Sequence, residues 1–181
     1  VSGASDASNA VSIADEAFAG WARMSAVTRG TYLLRAAAWL EANVGEYAQA
    51  LTRENGKAIL EAQGELARCI AVLKYNGVEG MNPVGDVVPS VNPDLLLYTT
   101  RVPLGAVSLI TPWNFPLAIP LWKMAPALVY GNTIVLKPAS ATPHMGVLLA
   151  RMWEAVDLPA GVFNLVSGSG GEVGQELISN P

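Results

Sequence analysis

The sequence predicts an α/β fold in which N-terminal helices lead into a β-hairpin and then into the first half of a parallel sheet. Three observations predict it. Up to about residue 80 apolar residues recur three and four apart with no proline among them. From Val84 the texture changes to β-branched runs separated by Pro, Gly and Asn. Beyond Gly105 short apolar runs alternate with helical stretches as β-α-β-α-β-α, the pattern of a sheet with crossover helices.

Each element has its own signal. Leu33, Ala37, Leu40, Val44, Tyr47 and Leu51 share one face of a helix that Thr28 caps and Asn55-Gly56 ends. A second helix runs from about Ala58 to Tyr75, with Ile59, Ala62, Leu66, Ile70 and Leu73 as its stripe and Asn76-Gly77 as its stop. Val87-Val88-Pro89 and Leu95 to Val102 read as the strands of a hairpin turned at Val91-Asn92-Pro93-Asp94. Ala106 to Ile110, Thr133 to Leu136 and Val162 to Val166 are the three strands of the sheet. Between them lie helices over Leu117 to Tyr130 and Pro143 to Val156, and another starts at about Gly171. Pro120 suits the first regular position of its helix, and Pro126 predicts a kink. A doubly wound domain has two such halves, and three strands leave an edge unpaired, so the chain reads as the first part of a longer protein.

The composition narrows the function. With 51% apolar and 14% charged residues, the 181-residue chain can bury a core. A net charge of -4 with 11 Lys and Arg argues against nucleic acid as a partner. One cysteine and one histidine exclude a disulfide framework and a thiolate or histidine metal centre. No run of eighteen apolar residues spans a bilayer, and the N-terminus has no basic or apolar leader. A single thiol fits a reducing compartment, so the expected location is cytoplasmic.

In open parallel sheets, ligands bind outside the carboxyl ends of the strands. That rule selects Thr111-Pro112-Trp113-Asn114-Phe115-Pro116, Lys137-Pro138-Ala139-Ser140, and the glycine segment Ser167 to Gly174. Pro112 and Pro116 stiffen the first segment. Its Asn114 amide either donates to a developing oxyanion or caps the following helix. Lys137 either reaches a ribose or phosphate or is a solvated lysine. The glycines, spaced G-x-G-x-x-x-G, serve phosphate approach at a helix start or a plain turn. Cys69, on the second helix, reads as a structural residue, and His144 as a solvent-facing or capping one. Glu154, Asp157 and the acids of the first helices read as solvated.

The stretch LITPWNFPLAIPLWKMAPALVYGNTIVLKPASATP, Leu109 to Pro143, resembles the aldehyde dehydrogenase superfamily in its PWNFP loop, GN turn and KP motif. LTRENGK and LPAGVFNLVSGSGGEVG fit the same family, so the resemblance covers essentially the whole chain and the first part of a member. It implies an incomplete aldehyde dehydrogenase fold with a Rossmann-like cofactor domain. Residues 1–83 are then its helical part, 84–104 an oligomerisation arm, and 105–181 the first half of its sheet. The implied activity is NAD(P)-dependent oxidation of a small-molecule aldehyde to the acid through a cysteine thioester, in a homo-oligomer (dimer or tetramer).

By the same resemblance Asn114 is the side-chain half of the oxyanion hole. Thr111, Pro112 and Trp113 line the site of the nicotinamide and its ribose. Lys137, Pro138, Ala139 and Ser140 lie at the adenosine ribose, and Gly170 and Gly174 border it. The nucleophilic cysteine and general-base glutamate fall beyond residue 181, so the chain alone should be inactive. Many members carry glutamate where this chain has Ser140, and a carboxylate there repels a 2′-phosphate. Serine favours NADP over NAD. The KPAS wording resembles the semialdehyde branch, such as succinic or α-ketoglutaric semialdehyde dehydrogenases. Two alternatives stand beside this reading: a CoA-acylating semialdehyde dehydrogenase, whose members often have Phe at the place of Trp113, and a nucleotide-binding or oligomerisation module without catalysis.

Overall fold

A computed structural model describes residues 1–82 and 84–180; the boundary residues 83 and 181 lie outside them. Four helices come first: α1 (Ala4–Arg23), α2 (Ala26–Ala42), α3 (Val44–Asn55) and α4 (Ile59–Glu79). The single helix expected up to Asn55 is therefore two. Asn43 breaks it at φ -117° and ψ 18°, and its side-chain amide donates to the Trp39 carbonyl at 2.8 Å, the local competition with helical backbone that makes Asn a helix end. The cap is Ser25 in place of Thr28: the Ser25 hydroxyl accepts from the Thr28 N–H at 3.0 Å. Gly56 ends α3 as expected, in the left-handed region at φ 84°.

The second helix, α4, runs through Asn76-Gly77 to Glu79, past the stop expected there. Packing explains the difference. Gly77 faces Gly30 of α2 so closely that a Cβ on Gly30 would lie 2.1 Å from the Gly77 carbonyl oxygen. Here glycine serves close helix–helix approach and not a turn. The buried stripe of α4 is Ala62, Glu65, Leu66, Cys69, Leu73, Asn76 and Gly77. Ile59 is exposed and Ile70 half-buried, so the apolar face is rotated from the one expected.

The hairpin is present but short, with β1 (Val87–Val88) antiparallel to β2 (Leu97–Tyr98). At its tip the Asp94 N–H donates to the Asn92 side chain at 3.0 Å, the Asx turn that the Asn-Pro-Asp run favours. The alternating region follows as β3 (Ala106–Ile110), α5 (Ala118–Val129), β4 (Thr133–Lys137), α6 (Pro143–Ala155) and β5 (Phe163–Leu165). A π-helical turn over Gly170–Gly174 then leads into α7 (Gln175–Ser179). Pro143 opens α6, where a missing N–H costs nothing. Pro120 sits in the first turn of α5, two residues past its start, and Pro126 lies inside that helix without interrupting it.

The three strands are parallel in the order β3-β4-β5. Central β4 is buried on both faces. Its Ile134 and Leu136 join one core with α2 to α6. Val135 points the other way, into a core with Ala7, Ala10 and Ala14 of α1 and with Val173 and Leu177. Strand alternation puts Thr133 and Lys137 on this second face. Thr133 donates to the Ala14 carbonyl there at 2.8 Å.

Candidate active site

Parallel register brings the three strand-end segments together. Ile110 pairs with Lys137 across β3 and β4, and the Thr111 N–H donates to the Lys137 carbonyl at 3.2 Å. The Ser140 hydroxyl donates to the Gly168 carbonyl at 3.3 Å, and Gly174 lies against the Lys137 stem, where a Cβ would stand 3.5 Å from Cε. Pro138, Ala139 and Ser140 line a cleft of about 220 Å³ with Ser167, Gly168 and Ser169. Gly170 and Gly171 face open space, with nothing within 4 Å of an added Cβ. The close packing falls instead to Gly168, whose Cβ would lie 2.4 Å from Val173.

Lys137 is 4% exposed, which removes the solvated-lysine alternative. Its ammonium donates to the Pro138 carbonyl at 3.1 Å and pairs with no carboxylate among the described residues. A buried ammonium with spare donors suits hydroxyl or phosphate oxygens. Thr111 is also buried, and its hydroxyl has no partner among the described residues. The hydroxyls of Thr52 and Thr142 are buried without a partner among the described residues in the same way, so it is the half-satisfied Lys137 ammonium that marks these strand ends as a place for a hydroxyl or phosphate oxygen.

The Thr111 to Pro116 loop is held from α3 and α4. The Asn55 side chain donates to the Trp113 carbonyl at 2.8 Å. The Lys57 ammonium donates to the Asn114 carbonyl at 3.1 Å, pairs with the Glu65 carboxylate and lies 4.6 Å from the centre of the Phe115 ring. Glu65, fully buried along its side chain, accepts from the N–H groups of Leu117 and Ala118 at 2.9 and 3.0 Å. Those are orphan donors at the start of α5, so the capping role belongs to Glu65 and not to Asn114. The Asn114 side chain is exposed and makes no hydrogen bond among the described residues, so its amide is free to donate outward. Trp113 and Phe115, its chain neighbours, are exposed, as is Trp122 on α5.

Asn55, Lys57 and Glu65 escape a sequence reading that treats the acids of the first helices as solvated. The one signal was a carboxylate between Ala62 and Leu66 on the buried face of a helix. Glu54 is a second exception: it accepts from the N–H groups of His144 and Met145 at 2.7 and 3.0 Å, capping α6. His144 is exposed, and its backbone is what is capped. Cys69 is buried. Burial, and then the nearby Glu65 charge, push its thiol above the ordinary range, so it is no nucleophile. No group of His, Cys, Asp and Glu among the described residues could hold a metal, and no helix there is long and apolar enough to cross a membrane.

Parallel strands in sequential order with crossover helices, and three loops gathered at the carboxyl ends, make one half of an open α/β sheet of the kind that carries its ligand at those ends. The aldehyde dehydrogenase family model matches residues 1–181, and the chain belongs to that family. It is 52% identical over 174 residues to the alpha-ketoglutaric semialdehyde dehydrogenase of Bacillus subtilis (strain 168), covering 96% of this chain and 36% of that protein. It is 38% identical to a succinate-semialdehyde dehydrogenase (NADP(+)) of Escherichia coli (strain K12), covering 99% of this chain and 37% of that protein. The crystal structure of PnpE in complex with nicotinamide adenine dinucleotide superposes with a TM-score of 0.92 at 38% identity, over 97% of this chain and 36% of that one. The chain thus spans just over a third of the length of the relatives it matches.

Proposed function

We propose that these residues supply the oxyanion donor and the cofactor loops of an NAD(P)-dependent dehydrogenase that oxidises a semialdehyde to the carboxylic acid. The observation that carries this is the Asn114 carboxamide: exposed, without a partner among the described residues, and mounted on a loop clamped at consecutive carbonyls. As a cysteine thiolate adds to an aldehyde carbon, the carbonyl oxygen gains negative charge. Asn114 donates to that oxygen in the tetrahedral state and again when water attacks the thioester. Nicotinamide, when bound, accepts the hydride. Thr111, Pro112 and Trp113 would face its ribose end, while Lys137, Pro138, Ala139, Ser140, Gly170 and Gly174 would hold the adenosine end. The semialdehyde class is taken from the names of the relatives, and NADP is preferred because Ser140 places no carboxylate near a 2′-phosphate.

Residues 1–83 and 105–181 together form the cofactor-binding part. Residues 84–104 form an oligomerisation arm of a dimer or tetramer, which fits the exposure of Val87, Leu96 and Tyr98 at 75%, 75% and 67%. The location is cytoplasmic. The nucleophile and base are not among these residues: Cys69 is their one thiol, buried on α4.

The test expresses the reading frame that carries these residues to its own stop codon and follows NAD(P)H with succinic and α-ketoglutaric semialdehydes. The expected result is activity with either aldehyde, and none from residues 1–181 alone. Asn114→Ala should lower kcat by ~10²–10³, the usual effect of losing one oxyanion donor. Wild-type turnover in that variant would reject the reading.

A further inference from the structure

We infer that Lys57 is a positioning residue for the Asn114 carboxamide, an inference that rests on the oxyanion role proposed above. Its ammonium is mostly buried, with 11% of the side chain exposed. Each of its directions is occupied by the loop or by the group that anchors the loop. One contact is the carbonyl of Asn114 itself, at 3.1 Å. Another is Glu65, whose carboxylate also takes the N–H groups of Leu117 and Ala118. The third is the face of the Phe115 ring, at 4.6 Å from its centre.

Lys57 thus ties the backbone of Asn114 to the start of α5 through one buried anion. The side-chain amide leaves that backbone with only two rotatable bonds. Fixing the peptide on its carbonyl side fixes the base from which the amide swings and so narrows the positions it can reach, and a small misplacement of a catalytic group is costly in rate. Gly56, at φ 84°, is the turn that delivers Lys57 from the end of α3 to this point. The sequence carries this as Asn-Gly-Lys followed eight residues on by a buried glutamate. Neighbouring Asn55 holds the Trp113 carbonyl in the same way, so the loop is gripped at two successive peptides.

The test uses the full reading-frame product and compares Lys57→Met, Lys57→Gln, Asn114→Ala and the double variant K57M/N114A. Lys57→Met should lower kcat ~10-fold or more. The KM for aldehyde and the Kd for dinucleotide should stay within about twofold of wild type. In the Asn114→Ala background the same change should have no further effect on kcat, because the group being aimed is gone. Lys57→Gln keeps a neutral donor and is read in parallel, so that a fold defect in one variant leaves the other. Unchanged kcat in a folded variant, a loss that multiplies with that of Asn114→Ala, or a rise in KM alone would each overturn the inference. So would failure of both variants to fold, which would make Lys57 a residue of stability only. If Asn114→Ala itself turns over at the wild-type rate, it is the parent reading that fails.

Discussion

Lys137 and Ser140 illustrate how much one side chain decides at the mouth of the sheet. The lysine is buried with donors to spare, while the serine sits at the rim with a single long bond to Gly168. A hydroxyl held at 3.3 Å turns readily toward a phosphate oxygen. Ser140→Glu in the full-length product should therefore reduce kcat/KM for NADP at least about tenfold, equivalent to ~1.4 kcal/mol, with little change for NAD. Parallel progress curves with the two dinucleotides check this. Cys69 sets the opposite limit. Its thiol is pushed up by burial and by Glu65, so thiolate is negligible at neutral pH and stays so as pH rises through the usual thiol range. Folded residues 1–181 should give no thiol colour with Ellman's reagent at pH 8, and one equivalent once unfolded in guanidinium.

Among the elements, those fixed by local chemistry were the legible ones. Alternating apolar runs placed all three sheet strands, Gly56 marked the end of α3, and Pro143 the start of α6, because each signal acts within a few residues. What sequence could not show was tertiary. The Asn76-Gly77 pair looks like a stop until α2 is packed against it; Asn43 is the exception, a local break hidden under a continuous apolar stripe. The site divides in the same way. Asn114, Lys137 and the glycines follow from the rule about strand ends, whereas the clamp of Asn55, Lys57 and Glu65 exists only once α4 lies beside α5. The α2–α4 contact also yields a prediction. Gly30→Ala places a methyl 2.1 Å from the Gly77 carbonyl, so the helices must separate. A loss of ~1–3 kcal/mol is expected, or about 2–12 °C in Tm. Gly20→Ala, with nothing within 4 Å of its Cβ, should be neutral or better in the same thermal melt.

For the whole molecule, helices on both faces of β4 close one α/β layer, while β3 and β5 each keep an outer edge to which further strands can add. The hydroxyl of Thr111 belongs to the same end of the sheet, where it sits enclosed and, among the described residues, unanswered. Enclosing a hydroxyl without a partner costs ~1–3 kcal/mol, and valine has nearly the same shape without that penalty. Thr111→Val should raise Tm by a few degrees while weakening dinucleotide binding, as calorimetry and titration on the full-length product can record. Resilience and affinity then pull in opposite directions at one atom. A programme that selected only for heat tolerance would erase this threonine early, and its products would outlast the parent while working less well.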